Sequence, residues 1–133
     1  MKKRAIIIIL IILLLGILFP FAALSQLYSG YAIVFNSVFD SLLSHILMHM
    51  ALFAALAWIV MSFASKKPMR QMILMSLGTV LLVGMIQEGI QMLSVGVFNI
   101  GASIFDLGID LAGGSIPLVI KLLVTKISAK QQV

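Results

Sequence analysis

Cysteine is absent from this chain and charge is scarce: of 133 residues, 10% are Asp, Glu, Lys or Arg, and only four are acids. Without Cys there is no disulfide framework, no thiolate metal site and no thiol nucleophile. A water-soluble domain carries about 25% charged residues, so a chain this poor in charge cannot clothe an aqueous surface. No polar stretch is long enough to make a separate soluble domain. What fills the chain instead is apolar: 62% of residues are hydrophobic and the mean hydropathy is +1.23.

The nine basic residues fall into three clusters: Lys2, Lys3 and Arg4; Lys66, Lys67 and Arg70; Lys121, Lys126 and Lys130. The net charge of +5 raises the question of nucleic acid. The clusters flank apolar runs and carry no interleaved aromatics, so anionic lipid headgroups and membrane orientation account for them, and no nucleic-acid partner is expected. Segments flanking membrane spans carry excess Lys and Arg on the cytoplasmic side, which predicts that both termini and the 66–70 turn are cytoplasmic.

About 20 apolar residues cross a ~30 Å hydrocarbon core, and four stretches qualify. The prediction is an all-α polytopic membrane protein, a single four-helix bundle with spans near 5–24, 40–64, 71–95 and 102–124. The first span has a rival reading as a cleaved signal peptide, with its basic start, apolar run and Pro20. The apolar run exceeds the 7–15 residues typical of such a segment, which favours a retained helix. Residues 26–39 are polar-aromatic, with Tyr28, Tyr31 and Asn36, and suit an outer loop or interfacial segment. Pro68 cannot continue a helix, so a turn belongs at 65–68.

Depth follows from a rise of about 1.5 Å per residue. On the predicted orientation His45 and His49 lie ~8 and ~14 Å below the outer end of the second span. Glu88 has climbed ~25 Å along the third, and Asp106 and Asp110 lie ~6 and ~12 Å into the fourth. Three helices thus bring their ionisable groups to the outer half of the bilayer. His45 and His49 share a helical face, as do Glu88 and Gln91, and Asp106 and Asp110. A charge at mid-span costs about 2.5–3.5 kcal/mol on insertion scales, so these groups should face one another or a wet pocket. Small residues on such faces let helices approach closely: Gly84 on the third span, and Ser103, Gly113, Gly114 on the fourth. Gly113 is expected at the contact between the third and fourth spans. Asp40 reads as a solvated helix-start acid, and the Met and Phe residues and Trp58 as packing.

The order of these residues carries a resemblance. His49 is followed by Phe53 and Leu56, then by Glu88-Gly89-Ile90-Gln91, then by the run Ser103–Gly113 containing Asp106 and Asp110. From His49 to Gly114, about half of the chain, this pattern resembles the VanZ-like family of small bacterial membrane proteins. The chain departs from the family pattern at His45, where an Asp is usual, at Ile100, where an Arg often stands, and at Asp110, where Asn is more common. The resemblance implies a bacterial plasma-membrane location and a cell-envelope role. The family is named for a protein conferring low-level teicoplanin resistance.

Three functional readings stay open. The first is a polytopic envelope protein, not clearly an enzyme, whose outer-leaflet pocket takes a lipid, a lipid-linked ligand or a glycopeptide. His45, His49, Glu88, Gln91, Asp106 and Asp110 would line it, and no cofactor is expected. The second is an intramembrane metal-dependent hydrolase with ligands drawn from His45, His49, Glu88 and Asp106. It lacks the Glu beside the first His of an H-E-x-x-H helix. The third is a small ion- or proton-coupled carrier, with Glu88 and the histidines titrating; a holin-like pore would have no need of ionisable groups gathered at one depth.

Overall fold

A computed structural model describes residues 3–39 and 41–130; the position assigned to Asp40 lies outside them. Among the described residues every regular element is helical. In chain order these are α1 (Lys3–Leu18), α2 (Phe21–Leu27), α3 (Ser29–Phe39), α4 (Leu42–Phe63), α5 (Met69–Val95) and α6 (Ile100–Lys130). Three helices are long and apolar enough to cross a membrane: α4, α5 and residues Ile100–Ser128 of α6.

The boundaries follow local chemistry. Ser41 caps α4, its hydroxyl accepting from the Ser44 amide at 3.0 Å. That satisfies one of the amides a helix start leaves free. Helix α4 ends at Phe63, and Pro68 opens α5, its missing N–H costing nothing there. Helix α5 ends on Gly96, which holds φ +72°, a left-handed cap that glycine adopts without steric cost. The Asn99 side chain then accepts from the Ala102 amide at 3.1 Å and starts α6.

The first apolar stretch departs from the continuous helix predicted over 5–24. Helix α1 stops at Leu18, and the chain breaks at Phe19-Pro20 before α2. Pro20 offers no amide to the ladder and pushes Phe19 away from helical dihedrals. Residues 29–39, read as loop or interfacial segment, form a regular helix, with Tyr31 and Phe35 stacked one turn apart at 5.7 Å.

The helices pack with a clear sense. Paired residues rise together along α4 and α6 (His45 with Asp106, His49 with Asp110), so these two run parallel. Pairs along α5 and α6 run in opposite order (Gly84 beside Asp110, Val80 beside Gly114, Met72 beside Lys121), so α5 is antiparallel to both. Helix α1 is antiparallel to α4: Ile6 and Ile9 share a depression with Trp58 and Ser62, while Gly16 and Phe19 share a cavity with His45 and Met48. Arg4, the Lys66–Arg70 turn and the Lys121–Lys126 stretch therefore gather at one end of the molecule, and the His and Asp residues lie towards the other.

The core is apolar: Ile17 of α1 packs with Phe53, Leu56, Ala57, Val80 and Val83. Outward faces are apolar too, with Leu42, Leu74, Leu82, Leu93, Ile104 and Leu123 all exposed. Several hydroxyls on the three long helices turn inward on their own backbone. Ser62, Thr79, Ser94, Ser115 and Thr125 each donate to the carbonyl four residues back. Such back-bonding suits surroundings that offer no water to bond instead.

Candidate functional site

The site is built from two matched pairs. On α4 and α6, parallel and in register, His45 Nε2–H donates to Asp106 Oδ1 at 2.9 Å. One turn further, His49 Nδ1–H donates to Asp110 Oδ1 at 2.7 Å. Both pairs have the same sequence separation, 61 residues, because the histidines and the aspartates are each spaced one turn apart. An ionised carboxylate can only accept, so the ring nitrogen facing each Asp carries the proton. The inner pair is sealed, with His49 1% and Asp110 0% exposed, whereas the His45 side chain keeps a third of its surface accessible. The imidazole rings stand 4.5 Å apart, and the His49 ring stacks on Phe53.

Glycines let the helices come close enough for this. A Cβ on Gly113 would lie 2.5 Å from the Met50 carbonyl oxygen and 2.6 Å from its Cα, so α4 and α6 touch backbone to backbone just below the His49–Asp110 pair. The contact expected between the third and fourth spans at Gly113 is therefore with the second span instead. Gly114 is the residue that meets α5, against Val80. The two neighbours point about 100° apart around the helix, so only one of them can face each partner. Gly84 of α5 supplies the floor under Asp110: a Cβ there would be 2.8 Å from Oδ2 and 2.9 Å from the Leu107 side chain. Asp110 Oδ2 is buried against this glycine and makes no hydrogen bond.

Glu88 and Gln91 bring the third helix to the site. Glu88 shares a cavity with Ser103 of α6, whose hydroxyl donates to the Asn99 carbonyl at 3.3 Å, and its Oε1 is buried and without a partner. Glu88 and Asp106 line one small cavity of about 140 Å³ with Asn99 and Ser103. The two carboxyls thus share a space, with Asp106 accepting from His45 and Glu88 Oε1 left without a partner. Gln91 borders this cavity and a larger one on the opposite side of the cluster.

The larger cavity measures about 410 Å³. Its polar wall is His45, His49, Gln87 and Gln91; its aromatic wall is Phe19, Phe21, Tyr31 and Phe35, carried by the break after α1 and by α2 and α3. Gly16, Ile17, Met48 and Leu52 complete it. Gln87 was not singled out from the sequence. It is buried, its Oε1 has no partner, and it stands one turn before Gln91 on the same face. That spacing was the available signal. No sequence feature placed the aromatic wall, because it depends on the helix break at Phe19-Pro20 and on how α2 and α3 pack after it.

For metal ligation, His45, His49 and Asp106 each offer one donor atom, and these atoms lie within 4.8 Å of one another. Glu88, drawn into the expected ligand set, stands outside this group.

Set against known proteins, the chain matches no family model, no curated protein and no solved structure. Its class therefore rests on its own features. It is all-helical in its described residues, and three helices of spanning length and composition point to a membrane protein with a buried polar cluster between them.

Proposed function

We propose that this is a bacterial plasma-membrane protein of the VanZ-like type, acting in the cell envelope by binding an amphipathic lipid or lipid-linked molecule in the 410 Å³ cavity. The observation that carries the reading is the two-sided lining. Aromatic rings on one wall suit hydrocarbon, and His45, His49, Gln87 and Gln91 on the other suit a polar headgroup. Ligand sites of this size are mostly apolar with a few placed polar groups. The unpartnered Gln87 Oε1 is a further argument, since a buried polar atom without a bond calls for a partner. The residues that carry the VanZ-like resemblance, His49, Glu88, Gln91, Asp106 and Asp110, all fall in this cluster or on its rim.

In this reading α1 is a fourth span. Its Ile17, Leu10, Leu13 and Leu14 pack on the core formed by α4 and α5, and the exposed α2–α3 segment lies at the membrane interface. The basic end faces the cytoplasm by the excess of Lys and Arg, and the cavity opens towards the outer leaflet.

The test uses a position that fills the cavity without straining the fold. A Cβ on Gly16 meets nothing within 4 Å, and Gly16 lines the cavity. Gly16→Phe should therefore plug it, whereas Gly30→Phe, also unobstructed but not part of the lining, serves as control. Protein extracted in native lipid and examined by mass spectrometry should retain a defined lipid in wild type and Gly30→Phe and lose it in Gly16→Phe. Equal lipid retention in all three would sink the proposal. Teicoplanin tolerance in a host depending on this protein should disappear with the same plug at unchanged expression.

A further inference from the structure

We propose that His45, His49 and Asp106 form a binding site for a divalent transition metal of the zinc class, with Asp110 orienting His49 from behind. Two observations meet here. Three N and O donors from two helices stand within 4.8 Å of one another, a spread that a single ion with bonds of about 2.0–2.2 Å can draw together. Independently, His49 gives its Nδ1–H to a fully buried carboxylate at 2.7 Å. That bond fixes the tautomer and leaves Nε2 as the ligand atom. A metal-bound histidine almost always hands its second nitrogen to such a partner.

Two imidazoles and one carboxylate are hard-to-borderline donors, suited to zinc and its neighbours and not to calcium or magnesium, which take oxygen. On metal binding the cation takes the place of the proton shared by His45 and Asp106. The fourth position of a four-coordinate ion stays open, since three protein ligands are available. His45 and His49 both line the large cavity, so that position falls to water or to an oxygen donor entering from it. Access is available through His45, whose side chain is a third exposed, although His49 is sealed. The two cavities on either side of the cluster give small ions and water two approaches. The site does not depend on what lipid occupies the cavity.

Untagged protein, stripped with chelator and delipidated in detergent, is titrated with Zn²⁺ alone and, separately, with Co²⁺ alone. Wild type should take up one ion per chain, with visible ligand-field bands from Co²⁺. His45→Gln and Asp106→Asn should abolish both; His45 is a third exposed and Asn keeps the shape of the buried Asp106, so helical circular dichroism should be unchanged. Asp110→Asn should still bind, about 10–100-fold more weakly, as loss of a second-layer carboxylate does. Gly16→Phe should keep the metal while losing lipid, which separates this inference from the preceding one. Absence of Zn²⁺ and Co²⁺ binding by folded wild type overturns the site, and so does undiminished binding by a His45→Gln/Asp106→Asn double variant.

Discussion

At the scale of single residues, the inner His49–Asp110 pair is where the fold is most exposed to failure. Asp110 has no accessible surface, one of its oxygens is already unpartnered, and the other depends on His49. Removing one member of a buried pair strands the other, at a cost of about 3–5 kcal/mol when the survivor is a charge. Replacing both with apolar groups of like shape is often close to neutral. His49→Leu should therefore lower stability by about 3–5 kcal/mol, measured by denaturant unfolding in mixed micelles with chelator present. The double variant His49→Leu/Asp110→Leu should recover most of that loss. A double variant as unstable as the single one would show that the pair is not what holds this site closed. The sequence announced both members by their spacing but left open which group faces which. The i, i+4 rule says which residues share a face of one helix; it does not give the rotation of that helix against its neighbours. Once α4 and α6 are known to be parallel, the equal spacing on each makes the double His–Asp match almost unavoidable.

Among the elements, the glycines rank the contacts. At Gly113 a new Cβ would strike backbone, the Met50 carbonyl and Cα, which cannot step aside without moving α4 from α6. At Gly84 it would meet the Asp110 carboxylate and the tip of Leu107, and a side chain can give a little. At Gly78 it would meet nothing. Overpacking costs about 1–3 kcal/mol, and occasionally more, where neighbours cannot relax. The expected order of loss in thermal unfolding is Gly113→Ala, then Gly84→Ala, with Gly78→Ala neutral or slightly stabilised because Ala outranks Gly in a helix. Gly113→Ala melting at the wild-type temperature would mean the α4–α6 backbone contact is not formed. The sequence showed that Gly113 and Gly114 lie near the polar face, and it placed both ends of α4 and α5 and the start of α6 within two residues, because uninterrupted apolar runs bounded by polar turns leave little choice; α6 runs six residues past the predicted 124. It carried the first span through Pro20 as one continuous helix, and α3 was hidden because a short polar-aromatic stretch satisfies helix and interfacial loop equally well. Their consequence, the aromatic wall of the cavity, was hidden with them.

Over the whole molecule, charge and chemistry are sorted to opposite ends. Arg4, Lys66, Lys67, Arg70, Lys121 and Lys126 mark one end, and the His–Asp cluster with its two cavities lies towards the other. The sorting is a property of the packing and needs no membrane to be seen, but a membrane gives it a direction. Each Lys or Arg carried across a bilayer would add an insertion cost of about 2.5–3.5 kcal/mol at mid-helix depth, and anionic inner-leaflet lipid attracts each by about 1 kcal/mol. On the orientation proposed above, clusters of basic residues at one end of the three long apolar helices would hold that end in the cytoplasm by several kcal/mol. The chain has no Cys, so single cysteines report without background. Lys67→Cys, in the turn between α4 and α5, should resist a membrane-impermeant thiol reagent in intact cells and react after the membrane is opened. Ser29→Cys, exposed at the start of α3, should react in intact cells. If the two sites label on the same side, α4 does not cross the bilayer between them and the span assignment fails. If both react in the reverse sense, the cavity opens to the cytoplasm, and an envelope ligand delivered from outside could not reach it.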